Sequence, residues 1–186
     1  MLVPDKVKLE NDVQSIFGEL ADWYRSQEDV DFNKVVNEGK WTAAGHLYHL
    51  VKSISAINKG MQMPKLVLKS LFGKCNRVER TFAEQYQYYL DTLAAIVDSG
   101  KVVTPPSNVV PEEGRTFEVE GLLTRLTEGG DKFCSLLQSW SEEDLGIYVV
   151  PHPLMGKVTL REITYFTIFH TKHHLDNLKE NYTSVS

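Results

Sequence analysis

Three histidines fall within five positions near the end of the chain, in "FHTKHHLDN" at residues 169–177. Neutral imidazole nitrogens bind divalent metals, so rings that share a helix face make metal coordination the first chemistry to consider. In a helix His170 and His174 share a face, separated by one turn and about 6 Å along the axis. His173 is turned by about 100° from His174 and belongs to the flank. Such a pair can also simply hydrogen-bond to itself, to water or to carbonyls. A third ligand from another helix would separate the two readings.

The chain has six histidines. Two more, His46 and His49, lie in "WTAAGHLYHL", and the residues pull in opposite directions there. The aliphatic stripe of Leu47, Leu50, Ile54 and Ile57 sets His46 nearer the core and His49 about 120° from the stripe's centre. His49 instead belongs to a line of small residues, Thr42, Gly45, Ser53 and Ala56, which gives room to a neighbouring helix or to an ion and its ligand. The residues alone leave this choice open. The sixth, His152 in "VPHPLMGK", reads as a loop residue within reach of a site mouth.

Other chemistries lack their signatures. Cys75 and Cys134 are far apart with no CxxC spacing and read as free, buried thiols. HExxH, GxSxG and Gly-rich phosphate loops are absent, which removes the zincin, serine-hydrolase and nucleotide readings. A net charge of −5 without a basic stripe argues against nucleic acid and against an anionic membrane surface. Glu79, Glu84 and Asp91 read as solvated charges, so no carboxylate is named as fourth ligand or general base.

The elements that must position the histidines are helical. Leu9, Val13, Ile16, Leu20 and Trp23 make one stripe at 3.6-residue spacing, with Asp5 as its cap. The second runs through Leu47 to Ile57 and ends at Gly60. Phe82, Tyr86, Tyr89, Leu93 and Ile96 make a third, in which Tyr86, Tyr89 and Leu90 read as packing core. Val119, Leu122, Leu126, Phe133, Leu137 and Trp140 make a fourth, with a soft spot at Gly129–Gly130. The last helix opens on "TLRE", where Thr159 and Glu162 have capping-box spacing. "KLVLKSLFGK" is a short amphipathic piece covering one end, within a short helix at 64–73. Residues 101–114 read as an extended crossover because prolines exclude a helix. Residues 146–158 read as a proline-broken loop of extended character.

With 42% apolar and 24% charged residues, the chain is expected to be one soluble domain over residues 1–186. "MLVPDKVKLENDV" has no apolar signal core, and no run of about 18 apolar residues occurs, so a cytoplasmic protein is expected. The stripes make it all-α, a four-helix bundle with a short additional helix and long crossover loops.

"GKWTAAGHLYHLVKSI" and, far downstream, "PHPLMGKVTLREITYFTIFHTKHHLDNL" together resemble the DinB-like superfamily of metal-dependent enzymes, above all a bacterial branch ending in HxxHHL. In that family a Trp opens the second helix and a metal-binding His follows eight positions later, as Trp41 and His49 do. The last helix supplies two more in HxxxH, matched by His170 and His174. Residues 60–145 match only in helical pattern.

The resemblance implies an up-down-down-up bundle, often a homodimer, with His49, His170 and His174 around a divalent nickel, zinc or iron ion. Water or a low-molecular-weight thiol bound there loses its proton more easily. A thiol-dependent transferase or a hydrolase of a small electrophilic substrate both follow. The alternative is a non-catalytic bundle that keeps the histidines for stability, sensing or partner binding. Where family members often carry Gln after the last His, this chain has Asp176 and Asn177, candidates for orienting an imidazole or mere surface.

Overall fold

The computed structural model describes residues 4–100 and 106–182, and in it each apolar stripe becomes a helix. Asp5 accepts a hydrogen bond from the Lys8 backbone N–H at 2.9 Å and starts α1 (Lys6–Ser26). The Thr42 hydroxyl does the same for the Gly45 N–H at 3.0 Å and starts α2 (Ala43–Met61). Both side chains satisfy a first-turn donor that the helix itself leaves without a partner. The remaining helices are α3 (Lys65–Phe72), α4 (Phe82–Asp98), α5 (Val119–Ser139), α6 (Glu142–Ile147) and α7 (Leu160–Tyr182).

Hydrogen bonds at the helix ends fix the directions. The Tyr24 hydroxyl, late in α1, donates to the Ala43 carbonyl at the start of α2 (2.6 Å), so these two run antiparallel. The Trp140 indole N–H, just past α5, donates to the Met61 carbonyl at the end of α2 (3.2 Å), so α2 and α5 run parallel. Arg161 at the start of α7 donates to the Pro4 carbonyl before α1 (2.9 Å), while Tyr182 at its end packs on Trp23. Helices α1, α2, α5 and α7 are therefore up, down, down and up.

Their shared core includes Leu9, Leu20, Leu47, Leu123, Leu126, Phe133 and Leu137, all essentially inaccessible to solvent. Burying each such side chain stabilises the fold by about 1.5–3 kcal/mol. Gly129 and Gly130 do not soften α5, which is continuous. A Cβ at Gly129 would lie 2.9 Å from Ile54 Cγ2, and one at Gly130 would lie 2.6 Å from Phe17 Cδ2. The glycines let α5 approach α2 and α1 more closely than any side chain permits.

The third stripe lies outside this bundle. Helix α4 packs along α7 through Phe82 against Tyr165 and Tyr89 against Phe166 and Phe169. With one side covered, Tyr89 is 7% exposed but Tyr86 is 43% and Leu90 37%. The reading of all three as core thus holds only for Tyr89. Helix α3 buries Leu68 and leaves Leu66 and Leu71 exposed.

Residues 146–158, expected as a loop, complete α6 and form an antiparallel hairpin. Strand β1 (Val149–His152) pairs with β2 (Gly156–Thr159) from Val149↔Thr159 to His152↔Gly156. Pro151 is tolerated because in a two-stranded sheet every strand has a free edge. Gly156, at φ +69°, takes the left-handed conformation that the turn requires.

The expected capping box at the head of α7 is formed: Thr159 N–H donates to Glu162 (2.9 Å) and Glu162 N–H to the Thr159 hydroxyl (3.0 Å). Glu79, expected as a solvated charge, is instead partly buried. It accepts from the Thr159 hydroxyl at 3.0 Å and pairs with Arg161 at 3.3 Å. Glu84 is exposed and completes a second capping box with Thr81, and Asp91 is exposed. Of the expected crossover, residues 101–105 lie outside the described residues. The remainder is non-helical apart from a 3-10 turn at Ser107–Val109. Among the described residues no helix is long and apolar enough to cross a membrane.

Candidate metal centre

Helices α2 and α7 are antiparallel, so successive turns of one face successive turns of the other in reverse order. That geometry sets His46 opposite His174 and His49 opposite His170. The Nε2 of His170 stands 3.2 Å from Nε2 of His49 and 3.1 Å from Nε2 of His174. One ligand atom from each ring lies within 4.8 Å of the others, and all three side chains are buried. Three nitrogens bound at about 2.0–2.1 Å to one tetrahedral ion would be about 3.3 Å apart. The donor set therefore fits a divalent ion with little rearrangement.

Protonation gives a second test of that fit. His49 Nδ1 is 3.0 Å from the Val109 carbonyl oxygen, which can only accept. A neutral His49 thus carries its proton on Nδ1 and presents a bare lone pair at Nε2. His170 Nε2 meets this lone pair and His174 Nε2 together, so one proton at most serves two close contacts. A cation satisfies all three nitrogens at once. Burial pushes the pKa values of His170 and His174 well below the ordinary histidine range, and their imidazole neighbours add to the shift. Burial also lowers His49, against the opposing pull of Val109. The rings are therefore neutral at pH 7, the state in which imidazole coordinates metal.

The outer contacts are specific. His46 Nδ1 lies 2.7 Å from His174 Nδ1. For His174 to turn a lone pair inward, its Nδ1–H must donate to His46, whose own proton then sits on Nε2. Burial holds His46 at a pKa of about 4, with a further contribution from His49, so it stays a neutral acceptor. Trp41 stacks on His174, with ring centroids 6.3 Å apart and planes 5° from parallel, and also packs on His49 at 5.0 Å. Phe166, one turn before His170, stacks on it at 4.6 Å.

A cavity of about 900 Å³ opens in front of the histidines. Along α2 its wall includes His49, Ser53, Ala56 and Gly60; of the small-residue line seen in the sequence, Ser53 and Ala56 line it and Thr42 and Gly45 do not. Helix α4 supplies Tyr89, Leu93 and Val97, and the hairpin supplies Val150 and His152. Both cysteines stand apart from it: Cys134 is buried in the core, with its pKa raised to about 11 chiefly by burial, and Cys75 is partly buried.

The aliphatic stripe misjudged the second helix. It ranked His46 as the more buried, whereas His49 is buried and His46 only half-buried. The i,i+3 spacing of His46 and His49 on a helix antiparallel to α7 lets both rings reach it, His46 against His174 and His49 against His170. His173 is exposed and bonded to Asn177, and Asp176 pairs with Lys172. Neither Asp176 nor Asn177 orients a clustered imidazole. His152 was placed in a loop but is buried at the end of β1, facing the cavity.

His46→Ala is expected to weaken metal binding by about 10–100-fold, the usual effect of removing a partner that orients a ligand. Competitive chelator titration measures it. An affinity equal to wild type would show that the contact between His46 and His174 is incidental.

Fold and site together define a helical-bundle protein with three buried histidines whose nitrogens are close enough to fit one divalent ion. The chain belongs to the DinB superfamily, whose family model matches residues 18–177. Among solved structures it is similar to YfiT from Bacillus subtilis, described as "a probable metal-dependent hydrolase with an unusual four-helix bundle topology". That likeness has a TM-score of 0.61 at 15% identity and covers 96% of this chain and 86% of YfiT. No curated protein matches the chain.

Proposed function

We propose that His49, His170 and His174 hold one nickel, zinc or iron ion and that the protein is a metal-dependent hydrolase of a small molecule. The supporting observation is the convergence of three neutral Nε2 donors in the wall of a cavity large enough for a substrate. An ion held by three imidazoles keeps its full charge and an open position, and supplies Lewis-acid activation of water and of a carbonyl. The chain's own residues do the rest. Val109 and His46 hold two of the rings with Nε2 inward, and the apolar walls limit the access of bulk water.

Hydrolysis is preferred because the structurally similar YfiT is described as a hydrolase. A transferase using a low-molecular-weight thiol fits the same site, the thiol taking the place of water. The resemblance to the family extends the reading to a homodimer, and a cytoplasmic protein with residues 1–186 as one domain remains the expectation from the sequence.

The test is elemental analysis of protein purified without an affinity tag, followed by ester and amide hydrolysis assays with and without chelator and thiol. About one ion per chain and chelator-sensitive hydrolysis without thiol are expected. Activity that requires thiol would replace hydrolase with transferase. Absence of metal even after incubation with nickel, zinc and iron would end the metal reading.

A further inference from the structure

The cavity differs along its length. Beyond the histidines its wall is largely Ile57, Met63, Phe72, Leu93, Leu154 and Phe166. Among the described residues no carboxylate lines it. Lys40 and Lys59 contribute from exposed positions, so their charges belong to the rim. A charged substrate body would lose its hydration in such an interior and gain no counter-charge there.

Ser53, Tyr89 and Asn108 also line the cavity, and His152 adds a buried ring nitrogen to its wall. His152 Nδ1 lies 3.2 Å from both the Leu154 and the Met155 backbone nitrogens, whose N–H groups donate to it. A ring that accepts at Nδ1 carries its proton on Nε2. Among the described residues that N–H has no hydrogen-bond partner. The His152 ring meets Phe166 edge-on, with centroids 4.3 Å apart, and Phe166 stacks on His170 at 4.6 Å. The His152 Nε2–H donor therefore stands one aromatic ring away from the candidate metal centre. Donors aimed into apolar pockets fix the orientation of what binds there.

We propose that the cavity takes an uncharged acyl compound with an apolar body, its carbonyl end at the three histidines, and that His152 Nε2–H donates to a second acceptor on that body. The inference rests on the metal-centre reading and adds the substrate class and a residue that selects it. His152 acts here as a specificity residue. An acyl compound with no second acceptor leaves this donor unsatisfied, and one with the acceptor elsewhere buries a bare oxygen.

Hydroxamates bind metals through their head group and can carry any chain, so they separate the two readings. The nickel-loaded full chain is titrated calorimetrically with acetohydroxamate, octanohydroxamate and keto analogues of the latter, with one chain methylene at successive positions replaced by a carbonyl. Each buried methylene multiplies affinity by about threefold or fourfold, so octanohydroxamate should bind at least about 100-fold more tightly than acetohydroxamate. One keto analogue should bind wild type within about tenfold of octanohydroxamate. It should lose about tenfold relative to octanohydroxamate in His152→Phe, and His152→Gln, which keeps an N–H donor, should restore it.

Equal binding of the short and long hydroxamates would overturn the substrate class while leaving the metal centre intact. Keto analogues that keep the same ratio to octanohydroxamate in wild type and His152→Phe would overturn the role of His152. Failure of both nickel and acetohydroxamate to bind would instead overturn the metal centre on which the inference stands.

Discussion

His170→Ala is expected to abolish stoichiometric metal binding and to leave the bundle folded. His170 is the middle ligand, since its Nε2 lies within 3.2 Å of both other nitrogens, while His49 and His174 are not bonded to each other. Removing it leaves two ligands on different helices. Structural zinc sites bind with about 10–16 kcal/mol shared among four ligands, so one ligand corresponds to a loss of about 100-fold to 1,000-fold. A second readout needs no chelator. A ligand at about 1,000 times its Kd stabilises the native state by about 4 kcal/mol, which in a chain of this size raises Tm by roughly 8–16 °C. Wild type should show that rise on metal addition, whereas His170→Ala, then at only about 1–10 times its own Kd, should rise by roughly 1–6 °C. The truncation removes the stacking on Phe166 but also the cost of burying a polar ring, so the metal-free variant should melt near metal-free wild type. A Tm rise in the variant equal to that of wild type would place the metal elsewhere.

Glu162→Ala is expected to give the largest loss of stability of any single change at the opposite end of α7. The Glu162 side chain is wholly inaccessible and accepts both Arg77 guanidinium donors at 2.6 Å. The backbone N–H groups of Arg80 and Thr159, both at 2.9 Å, also donate to it. Burial alone would raise its pKa, but Arg77 and the two backbone donors outweigh burial and bring it below the ordinary carboxylate value.

Breaking a buried pair by removing one partner costs about 3–5 kcal/mol. Arg77 is 31% exposed and can return to water, so the lower half of that range applies. Loss of the cap adds about 1 kcal/mol. Together they lower Tm by roughly 8–20 °C. As a control, Lys8→Ala breaks an exposed pair with Asp12 and should change stability by less than about 0.5 kcal/mol.

The sign of the pH effect follows from the depressed pKa. The stabilisation from Glu162 is complete above the unfolded-state pKa and is lost as pH falls through the folded one. Guanidinium melts of wild type and Glu162→Ala should therefore converge in acid. Equal stability at pH 7 would contradict the account of this network. The segment that Glu162 pins leads into α4, one wall of the cavity, so the variant should also bind octanohydroxamate more weakly.

What the sequence revealed depended on how local each feature was. The pairing of His170 with His174, the flank position of His173 and the capping box of Thr159 and Glu162 are all set within one helical turn and could be read directly. The choice between His46 and His49 needed the neighbouring helix. An apolar stripe reports the average direction of burial, whereas His49 is buried by α7 and by Val109, which is sixty residues away in sequence.

The same limit explains α4. Its stripe is as regular as the others, but it has one helical neighbour instead of two, so Tyr86 and Leu90 face solvent. Gly129 and Gly130 looked like a weakness because the sequence cannot show that Ile54 and Phe17 fill the space above them. In residues 146–158 the prolines hid a hairpin, since a two-stranded sheet accepts proline at positions that a central strand forbids. Glu79 looked like an ordinary surface charge because its partners, Arg161 and Thr159, are about eighty residues away.

The most direct test of the account is X-ray absorption spectroscopy at the metal edge of protein loaded with nickel, zinc or iron. The expected first shell has three imidazole nitrogens at about 2.0–2.1 Å and oxygen or nitrogen scatterers in any remaining position. In His46→Ala the same shell should persist with greater disorder in the nitrogen distances. A shell that contains sulfur, has fewer than three imidazoles, or is unchanged in His170→Ala would contradict a centre built from His49, His170 and His174.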